Sequence, residues 1–140
     1  MFILDTNVVS ELRKAKTGKA DANVVAWAAG QDPSALFLSA ITLLELEMGI
    51  RQAERRDSAQ GAVLRAWMTD RVIPVFEGRI LAVDGPVALC CAALHVPDPR
   101  SDRDALIAAT GLVHAMPIVT RNVADFAPTG VQIINPWGIA

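Results

Sequence analysis

Met1-Phe2-Ile3-Leu4-Asp5-Thr6-Asn7-Val8 opens the chain, and within it an apolar run ends in a carboxylate. The run predicts a buried strand over residues 1–5, and the residues that follow predict a short helix from Thr6 to Arg13. Ligands of open parallel α/β sheets bind outside the carboxyl ends of the strands. Asp5 lies at such an end, so it is either the cap of the next helix or part of a site.

The composition is that of one folded domain. The chain has 140 residues, 52% of them hydrophobic, so we expect a single domain over residues 1–140 with a buried core. A formal net charge of −2 excludes a global basic field, so a nucleic acid would have to meet a local cationic patch. No signal peptide is evident, and no apolar run approaches the ~18 residues of a membrane span. Cys90 and Cys91 are adjacent, which suits neither zinc nor an ordinary disulfide, and we therefore expect a cytoplasmic protein with no membrane partner.

Short apolar runs alternate with longer helical patterns along the chain. The predicted strands are residues 1–5, 36–39, 72–76, 117–120 and 131–134, and the predicted helices are 6–13, 21–30, 40–56, 58–70, 78–95 and 101–114. Pro74 restricts the strand at 72–76 to a sheet edge. The helix at 78–95 is Ala-rich and predicted to be buried, with an interruption near Gly85 and Pro86. This alternation predicts an α/β fold with a mostly parallel sheet and helices on both faces.

Three further acids fall at positions comparable to that of Asp5. Glu45 lies on the helix after the second strand, within a helical spacing that is typical of a buried stripe. Asp104 begins an almost wholly apolar helix, near the positive end of its dipole. Asp125 follows the strand that ends at Thr120. The stripe that contains Glu45 consists of Ile41, Leu44, Glu45 and Met48.

Each acid also has a purely structural interpretation. Glu45 fits a capping box with Thr42, and Asp104 fits one with Ser101. Asp5 alone fits the cap of the following helix, and Asp125 alone fits a solvated turn residue. Four carboxylates at one sheet edge would repel one another, however, so a bound cation is the natural resolution. Oxygen ligands favour Mg²⁺ or Mn²⁺ over zinc, and these ions point to phosphodiester or phosphoryl chemistry.

Five segments stand in a fixed order along the chain. They are Leu4-Asp5-Thr6-Asn7, Ser39-Ala40-Ile41-Thr42-Leu43-Leu44-Glu45 with Gly49, Asp104-Ala105-Leu106-Ile107-Ala108-Ala109-Thr110, Thr120-Arg121-Asn122-Val123-Ala124-Asp125-Phe126 and Asn135-Pro136-Trp137. Together they resemble the PIN-domain ribonucleases, and more narrowly the VapC and FitB toxins of bacterial type II toxin-antitoxin systems. The resemblance spans essentially the whole chain. It implies a PIN-like three-layer α/β/α sandwich around a mostly parallel sheet of about five strands.

The resemblance also implies a catalytic set. Asp5, Glu45 and Asp104 match the acids that hold a divalent metal in PIN domains, with Asp5 and Asp104 as the metal ligands. Asp125 matches a fourth acid, for which Asn122 is the competing candidate because some relatives carry the acid nearer the threonine. Glu45 or Asp125 would orient or deprotonate a water that attacks the phosphate. The implied activity is an Mg²⁺-dependent endoribonuclease, in which Mn²⁺ substitutes, with 5′-phosphate and 3′-hydroxyl products.

Other polar residues near these segments have supporting or alternative roles. Asn7 and Thr120 are expected to orient the acids or waters. Asp102 either has no part in the site or supports Asp104 without binding the metal itself. A metal-free ribonuclease would favour paired histidines as acid and base. The two histidines, His95 and His114, lie in apolar helices, where packing is their ordinary role.

RNA contacts must come from local cations. The candidates are Arg13 and Lys14 in a cluster with Lys16 and Lys19, and Arg121 beside the last acidic motif. A second cluster consists of Arg51, Arg55 and Arg56, for which a solvated helix face is the alternative. Trp27 and Trp67 are candidates to stack on bases, but their helical spacing favours packing in the core or in a dimer.

The resemblance implies two protein partners. Similar toxins form homodimers, and a cognate antitoxin silences them by placing a basic side chain among the acids. The helices between Ala40 and Asp70 are the candidate apolar surface for either contact. Two alternative functions stay open: a non-catalytic PIN-like scaffold that binds RNA or protein, and a phosphatase with an aspartyl nucleophile. Asn7 counts against the phosphatase, because such enzymes carry a second acid at that position.

Overall fold

The computed structural model describes residues 1–138 and contains a five-stranded sheet in which all paired strands are parallel. The strands are β1 (Phe2–Leu4), β2 (Leu36–Ser39), β3 (Ile80–Leu81), β4 (Ile118–Val119) and β5 (Ile133–Ile134), in the spatial order β3-β2-β1-β4-β5. Strand β1 is central, because Ile3 pairs with Phe37 on one side and with Ile118 on the other. The predicted α/β class with a mostly parallel sheet is confirmed.

Helices connect the strands. They are α1 (Thr6–Arg13), α2 (Ala22–Ala29), α3 (Ala40–Arg56), α4 (Ser58–Trp67), α5 (Ile73–Val75), α6 (Gly85–Leu94), α7 (Asp102–His114) and α8 (Val123–Phe126). Short polar side chains begin several of them: Asp21 accepts from two backbone N–H groups of α2, Ser39 from Ile41 of α3, and Asp57 from two N–H groups of α4. Among residues 1–138, no helix has both the length and the apolar character needed to cross a bilayer.

Successive residues of the central strands point to opposite faces of the sheet. Leu4 and Val119 pack into a core with residues of α1 to α4. Ile3 and Ile118 pack on the other face, against Ile107 of α7 and neighbouring residues. The sheet is therefore covered by helices on both faces, and the carboxyl ends of β1, β2 and β4 lie at one edge of it, where Asp5, Ser39 and Thr120 are buried.

The sequence pattern predicts an edge strand at Val72–Phe76, and this prediction is wrong. The segment is helical, since a π-helical stretch over Met68–Val72 continues into α5. Val72 and Phe76 are both buried and four residues apart, which is the spacing of one helix face. Pro74 directly follows the π-helical stretch as the second residue of α5, and it has no N–H to donate to the preceding turn.

Strand β3 occupies that sheet edge instead, so the predicted helix at 78–95 is wrong at its start. Gly78 turns the chain with a φ of 77°, and Ile80 then pairs with Leu38 of β2. Helix α6 begins only at Gly85. Its burial is one-sided, because Val87 is fully buried whereas Leu89 is 76% exposed.

The stripe of α3 that contains Glu45 is not a buried stripe. Leu44 is 46% and Met48 40% exposed, whereas Leu46 and Ile50 face the core. Glu45 lies at the boundary between the exposed face and the core-facing side of the helix. The acid therefore borders solvent, next to two exposed apolar side chains.

Candidate active site

Asp5 is the most buried acid of the site, with 4% of its surface exposed. It ends β1 and also caps α1, because its Oδ1 accepts a hydrogen bond of 2.8 Å from the backbone N of Thr6. Its Oδ2 accepts from the hydroxyl of Thr120 at 2.7 Å and from Nδ2 of Asn7 at 3.2 Å. Both carboxylate oxygens are thus held by donors, and the two interpretations of Asp5 as cap and as site residue are compatible.

A polar network joins the end of β1 to the segment after β4. The side-chain amide of Asn7 donates to the Thr120 hydroxyl at 3.3 Å and accepts from the backbone N of Arg121 at 3.3 Å. Thr120 also accepts from the backbone N of Asn122 at 3.0 Å. Asn7 and Thr120 thus both donate hydrogen bonds to Asp5. Asn122 joins this network through its backbone N, and the residue as a whole is exposed.

Glu45 is brought to the same edge by α3. Its Oε1 accepts a hydrogen bond of 2.7 Å from the hydroxyl of Thr6, which directly follows Asp5. Its Oε2 lies 3.6 Å from Nη1 of Arg103, and the Glu45 side chain is 25% exposed. The capping box with Thr42 is wrong, because Ser39 caps α3 three residues earlier.

Asp104 lies in the first turn of α7, beside Arg103. The capping box with Ser101 is also wrong, since the Ser101 side chain makes no capping hydrogen bond. Burial raises the pKa of Asp104, the charges of Asp125 and Glu45 raise it further, and Arg103 opposes the shift. Asp125, exposed on α8, is therefore close enough to Asp104 for the two charges to interact.

Opposing effects act on Asp5. Burial raises its pKa and is the largest effect, while the hydrogen bonds from Thr120 and Thr6 lower it. The charges of Glu45 and Asp104 raise it again, so the pKa of Asp5 lies above its usual value. The four predicted acids therefore share one electrostatic neighbourhood. Within residues 1–138, however, no three His, Cys, Asp or Glu side chains are arranged to hold one metal ion together.

Comparison with known proteins identifies the family. Residues 2–128 match the family model of the PIN domain. The chain belongs to the PIN-domain family. It is 35% identical over 142 residues to the VapC ribonuclease Y4jK of Sinorhizobium fredii, with 98% of each chain covered. It is 33% identical to the toxin FitB of Neisseria gonorrhoeae, covering 98% of this chain and 99% of FitB.

Solved structures agree with this PIN-domain assignment. The crystal structure of FitAcB from Neisseria gonorrhoeae superposes with a TM-score of 0.89 at 32% identity, covering 99% of this chain and 100% of that one. A structure of FitAB bound to a DNA fragment superposes with a TM-score of 0.85, also at 32% identity. The resemblance found in the sequence is confirmed, as is the three-layer α/β/α sandwich.

The cations of this PIN domain are engaged to different degrees. Lys14 lies 3.0 Å from Glu11, and Arg51 lies 2.6 Å from Glu47. The guanidinium of Arg13 lies 6.0 Å from the ring centroid of Trp67, and that of Arg121 lies 5.4 Å from that of Trp137. Arg13 and Arg121 thus differ from Lys14 and Arg51, since no carboxylate pairs with either of them among residues 1–138.

Neither histidine belongs to the acid cluster. His114 is exposed at the end of α7, so the prediction that it packs in an apolar helix is wrong. His95 lies beyond α6, where its Nδ1 accepts from the backbone N of Arg100 at 3.2 Å and its Nε2 lies 3.5 Å from Asp102. Asp102 thus faces His95 and is 91% exposed, which separates it from the more buried Asp104.

Sequence analysis missed two contributors to the site. Thr6 joins the first and second acidic motifs through its hydrogen bond to Glu45, and Arg103 places a positive charge against the same carboxylate. Each is the immediate neighbour of a predicted acid, Asp5 or Asp104. That adjacency is the signal that could have identified them, because residues next to a site residue in the chain are held near the same site.

Proposed function

We propose that this PIN domain is an Mg²⁺-dependent endoribonuclease toxin of the VapC and FitB type. The observation that carries the proposal is the convergence of Asp5, Glu45, Asp104 and Asp125 near the carboxyl end of β1, where the charges of neighbouring acids raise the pKa values of Asp5 and Asp104. Relatives named as a ribonuclease and a toxin, which align over nearly the full length of the chain, support it.

The donor set fits a hard divalent cation. Burial and repulsion raise the pKa values of Asp5 and Asp104, so a bound cation would relieve an unfavourable concentration of negative charge. Mg²⁺ is commonly bound through one or two carboxylates and keeps several waters, so Asp5 and Asp104 suffice as protein ligands without a third. The chemistry that Mg²⁺, or Mn²⁺ in its place, supplies at such a site is charge neutralisation on phosphate and acidification of water.

The chain's own residues prepare the reaction geometry. Thr120, Asn7 and the backbone of Thr6 fix the orientation of Asp5, so its oxygens need not reorganise when substrate arrives. The Thr6 hydroxyl holds Oε1 of Glu45, and Oε2, which lies 3.6 Å from Arg103, would accept a proton from an attacking water once Arg103 turns to the substrate. Asp125 is the alternative proton acceptor, because it lies beside Asp104.

Arg103 balances part of the negative charge of the cluster. It pairs with Glu45, and its charge opposes the rise in the pKa of Asp104 that burial and the neighbouring acids cause. Because the arginine is 49% exposed at its side chain, it can exchange this contact for one with a phosphate of the substrate. RNA would reach the site past Arg121 and Arg13.

The proposed partners are a cognate antitoxin and a second copy of the chain. Leu44 and Met48 present apolar surface on α3 beside Glu45, where a bound protein would also cover the acids. The relatives FitAcB and FitAB support the proposal of an antitoxin, and such a protein would act in the cytoplasm, where its RNA is found.

The homodimer is tested by light scattering of the purified parent protein and of the Leu44→Glu variant. The parent is expected to be dimeric and the variant monomeric.

The ribonuclease proposal is tested by cleavage of total RNA with Mg²⁺ or Mn²⁺, using protein freed of any antitoxin. Asp5→Asn is compared with Asp70→Asn, an exposed acid far from the cluster in sequence. We expect discrete cleavage by the parent and by Asp70→Asn, and none by Asp5→Asn or in EDTA. Cleavage that persists in EDTA would refute metal dependence. RNA binding without cleavage by the folded parent would favour the alternative, a non-catalytic PIN-like scaffold.

A further inference from the structure

A small cavity of about 230 Å³ lies beside the acid cluster. Thr6 and Glu45, which belong to the cluster, form part of its lining. The remaining lining residues come from α1, α3 and α4, and they are Ser10, Arg13, Leu46, Gly49, Ile50, Leu64 and Trp67. The cavity therefore adjoins the carboxylate proposed to act on the scissile phosphate, and it differs from the acid cluster in being partly aromatic and apolar.

Trp67 and Arg13 form one wall of this cavity. The Arg13 guanidinium lies 6.0 Å from the centroid of the Trp67 ring, within cation–π range. Both residues also line a neighbouring cavity of about 340 Å³, whose lining includes the further cations Lys16 and Arg71. The wall thus stands between the acid cluster and a second cationic region.

We propose that the smaller cavity is a subsite for one unpaired nucleobase of the RNA, adjacent to the bond that is cleaved; this inference rests on the proposed ribonuclease function. Aromatic side chains and arginine planes are the surfaces on which unstacked RNA bases are held. The hydroxyl of Ser10 and the Arg13 guanidinium offer hydrogen bonds to base edges. At about 230 Å³ the cavity is below the usual range for drug-sized ligands, which suits a single base.

Charge decides which part of the nucleotide enters. The Glu45 carboxylate in the lining repels a phosphate, whereas a neutral base can occupy the space beside it. The phosphate on the far side of that base would then lie near Arg13, Lys16 and Arg71. A base that is paired in a duplex cannot leave its stack without cost, so the site selects single strands and loops.

An aliphatic side chain of a protein partner is the competing occupant, and the lining disfavours it. Such a group would strip water from Glu45 and Arg13 without replacing the lost hydrogen bonds. A base carries donors and acceptors on its edge and an apolar π face, so it matches both the polar and the aromatic parts of the lining.

The test measures binding in EDTA, where the proposed cleavage cannot occur. A short unstructured oligoribonucleotide is compared with three matched probes: the same strand with every base removed, the same strand in a duplex, and a DNA strand. The fluorescence of Trp67 is measured in a Trp27→Phe/Trp137→Phe double variant, in which Trp67 is the remaining tryptophan. We expect the intact single-stranded RNA to quench the fluorescence of Trp67. The abasic strand is expected to leave that fluorescence unchanged and to bind more weakly. Equal affinity for the intact and abasic strands would overturn the subsite, since phosphates alone would then explain binding.

Two substitutions test the wall directly. Trp67→Leu is expected to weaken binding of the single strand by about fivefold or more, which is the range for loss of one stacked base. Trp27→Leu is the matched control, since Trp27 is also half-buried but packs edge-on against Phe2. Arg13→Gln provides a second variant at a partly exposed position, in case Trp67→Leu does not fold. Unchanged affinity in both wall variants would overturn the subsite and leave the cavity to a protein segment.

Failure of this inference is distinguishable from failure of the proposed function. If the protein cleaves RNA with Mg²⁺ but bound RNA never quenches Trp67, the subsite is overturned and the ribonuclease proposal stands. If the intact strand quenches Trp67 and the abasic strand does not, the subsite stands even for a protein that cleaves nothing.

Discussion

Asp5 and Asp104 illustrate how single residues in this site are tuned by opposing effects. Burial raises both pKa values, and neighbouring carboxylates add to the shift. Asp5 is opposed by hydrogen-bond donors, whereas Asp104 is opposed by the charge of Arg103. Acids whose pKa values are perturbed by burial and by neighbouring charges are enriched at functional sites.

Asp104 and Asp102 form a matched pair on the first turn of one helix. Asp104→Asn is expected to lower RNA cleavage by about 100-fold or more, because it removes a proposed metal ligand from the site. Asp102→Asn is expected to cleave at close to the parent rate, since its side chain is 91% exposed and faces His95. The initial rate of cleavage of one RNA is measured for both variants. Equal losses of rate in the two variants would contradict the proposal that Asp104 is a metal ligand.

At the scale of elements, the contact of α3 with α4 positions both Glu45 and Trp67. Gly61 of α4 lies directly against α3, where a Cβ would be 2.8 Å from the backbone N of Glu54 and closer still to its Cα. Arg65 of α4 joins the two helices through Glu47 at 2.6 Å and Glu54 at 3.0 Å. One close backbone approach and one ion-pair network thus set how these helices lie.

Two helical glycines should respond to alanine with opposite signs. Gly61→Ala is expected to destabilise the fold by about 1–3 kcal/mol, because the backbone of Glu54 must move to admit the methyl group. Gly49→Ala is expected to stabilise it by up to about 1 kcal/mol, since nothing lies within 4 Å and alanine favours the helix. Urea unfolding measures both changes. A Gly61→Ala variant as stable as the parent would contradict the close packing.

The network around Arg65 should make stability depend on pH. Its guanidinium lowers the pKa values of Glu47 and Glu54 below their usual value of 4.5. Groups with a lowered pKa in the folded state stabilise it above the unfolded pKa, and that stabilisation is lost as the pH falls through the folded value. Arg65→Met should therefore lower the Tm at pH 7, and the difference from the parent should shrink toward pH 3. A difference that is constant with pH would indicate that Arg65 acts by packing alone.

For the whole molecule, a formal net charge of −2 requires the proposed RNA binding to rest on a few local cations. Arg13 and Arg121 each lie over a tryptophan ring, whereas Lys14 and Arg51 are paired with glutamates. We therefore expect a weak electrostatic attraction that acts locally rather than long-range steering toward RNA.

The salt dependence of RNA binding tests this distribution of charge. With two phosphate contacts, log K should fall with log salt with a slope of about −1.4, from about −0.7 per contact on a single strand. Arg121→Gln should reduce that slope by about half, and Arg56→Gln, exposed at the end of α3, should leave it unchanged. The slope is measured by titrations with RNA in EDTA across a range of KCl concentrations. The same slope for Arg121→Gln and the parent would contradict a phosphate contact at Arg121.

Much of the secondary structure could be predicted because the deciding signals are local. Helices α1 and α3 have the bounds that the apolar periodicity predicts, and Asp5 and Ser39 cap their first turns. The segment between Val72 and Leu81 could not be predicted in this way. Both of its apolar runs are too short to separate a helical turn from an edge strand by periodicity, and only pairing with β2 distinguishes them.

The sequence by itself determined the family, the parallel α/β class and the acids at the strand ends, because these depend on order and spacing along the chain. Only the tertiary structure decided which groups surround those acids. Thr6 meets Glu45 across 39 positions of the sequence, and Arg103 approaches it from another helix. The same holds for the cavity walled by Arg13 and Trp67. Local patterns specify where an element begins and which side is apolar, whereas contacts between distant side chains depend on how the packed elements lie against one another.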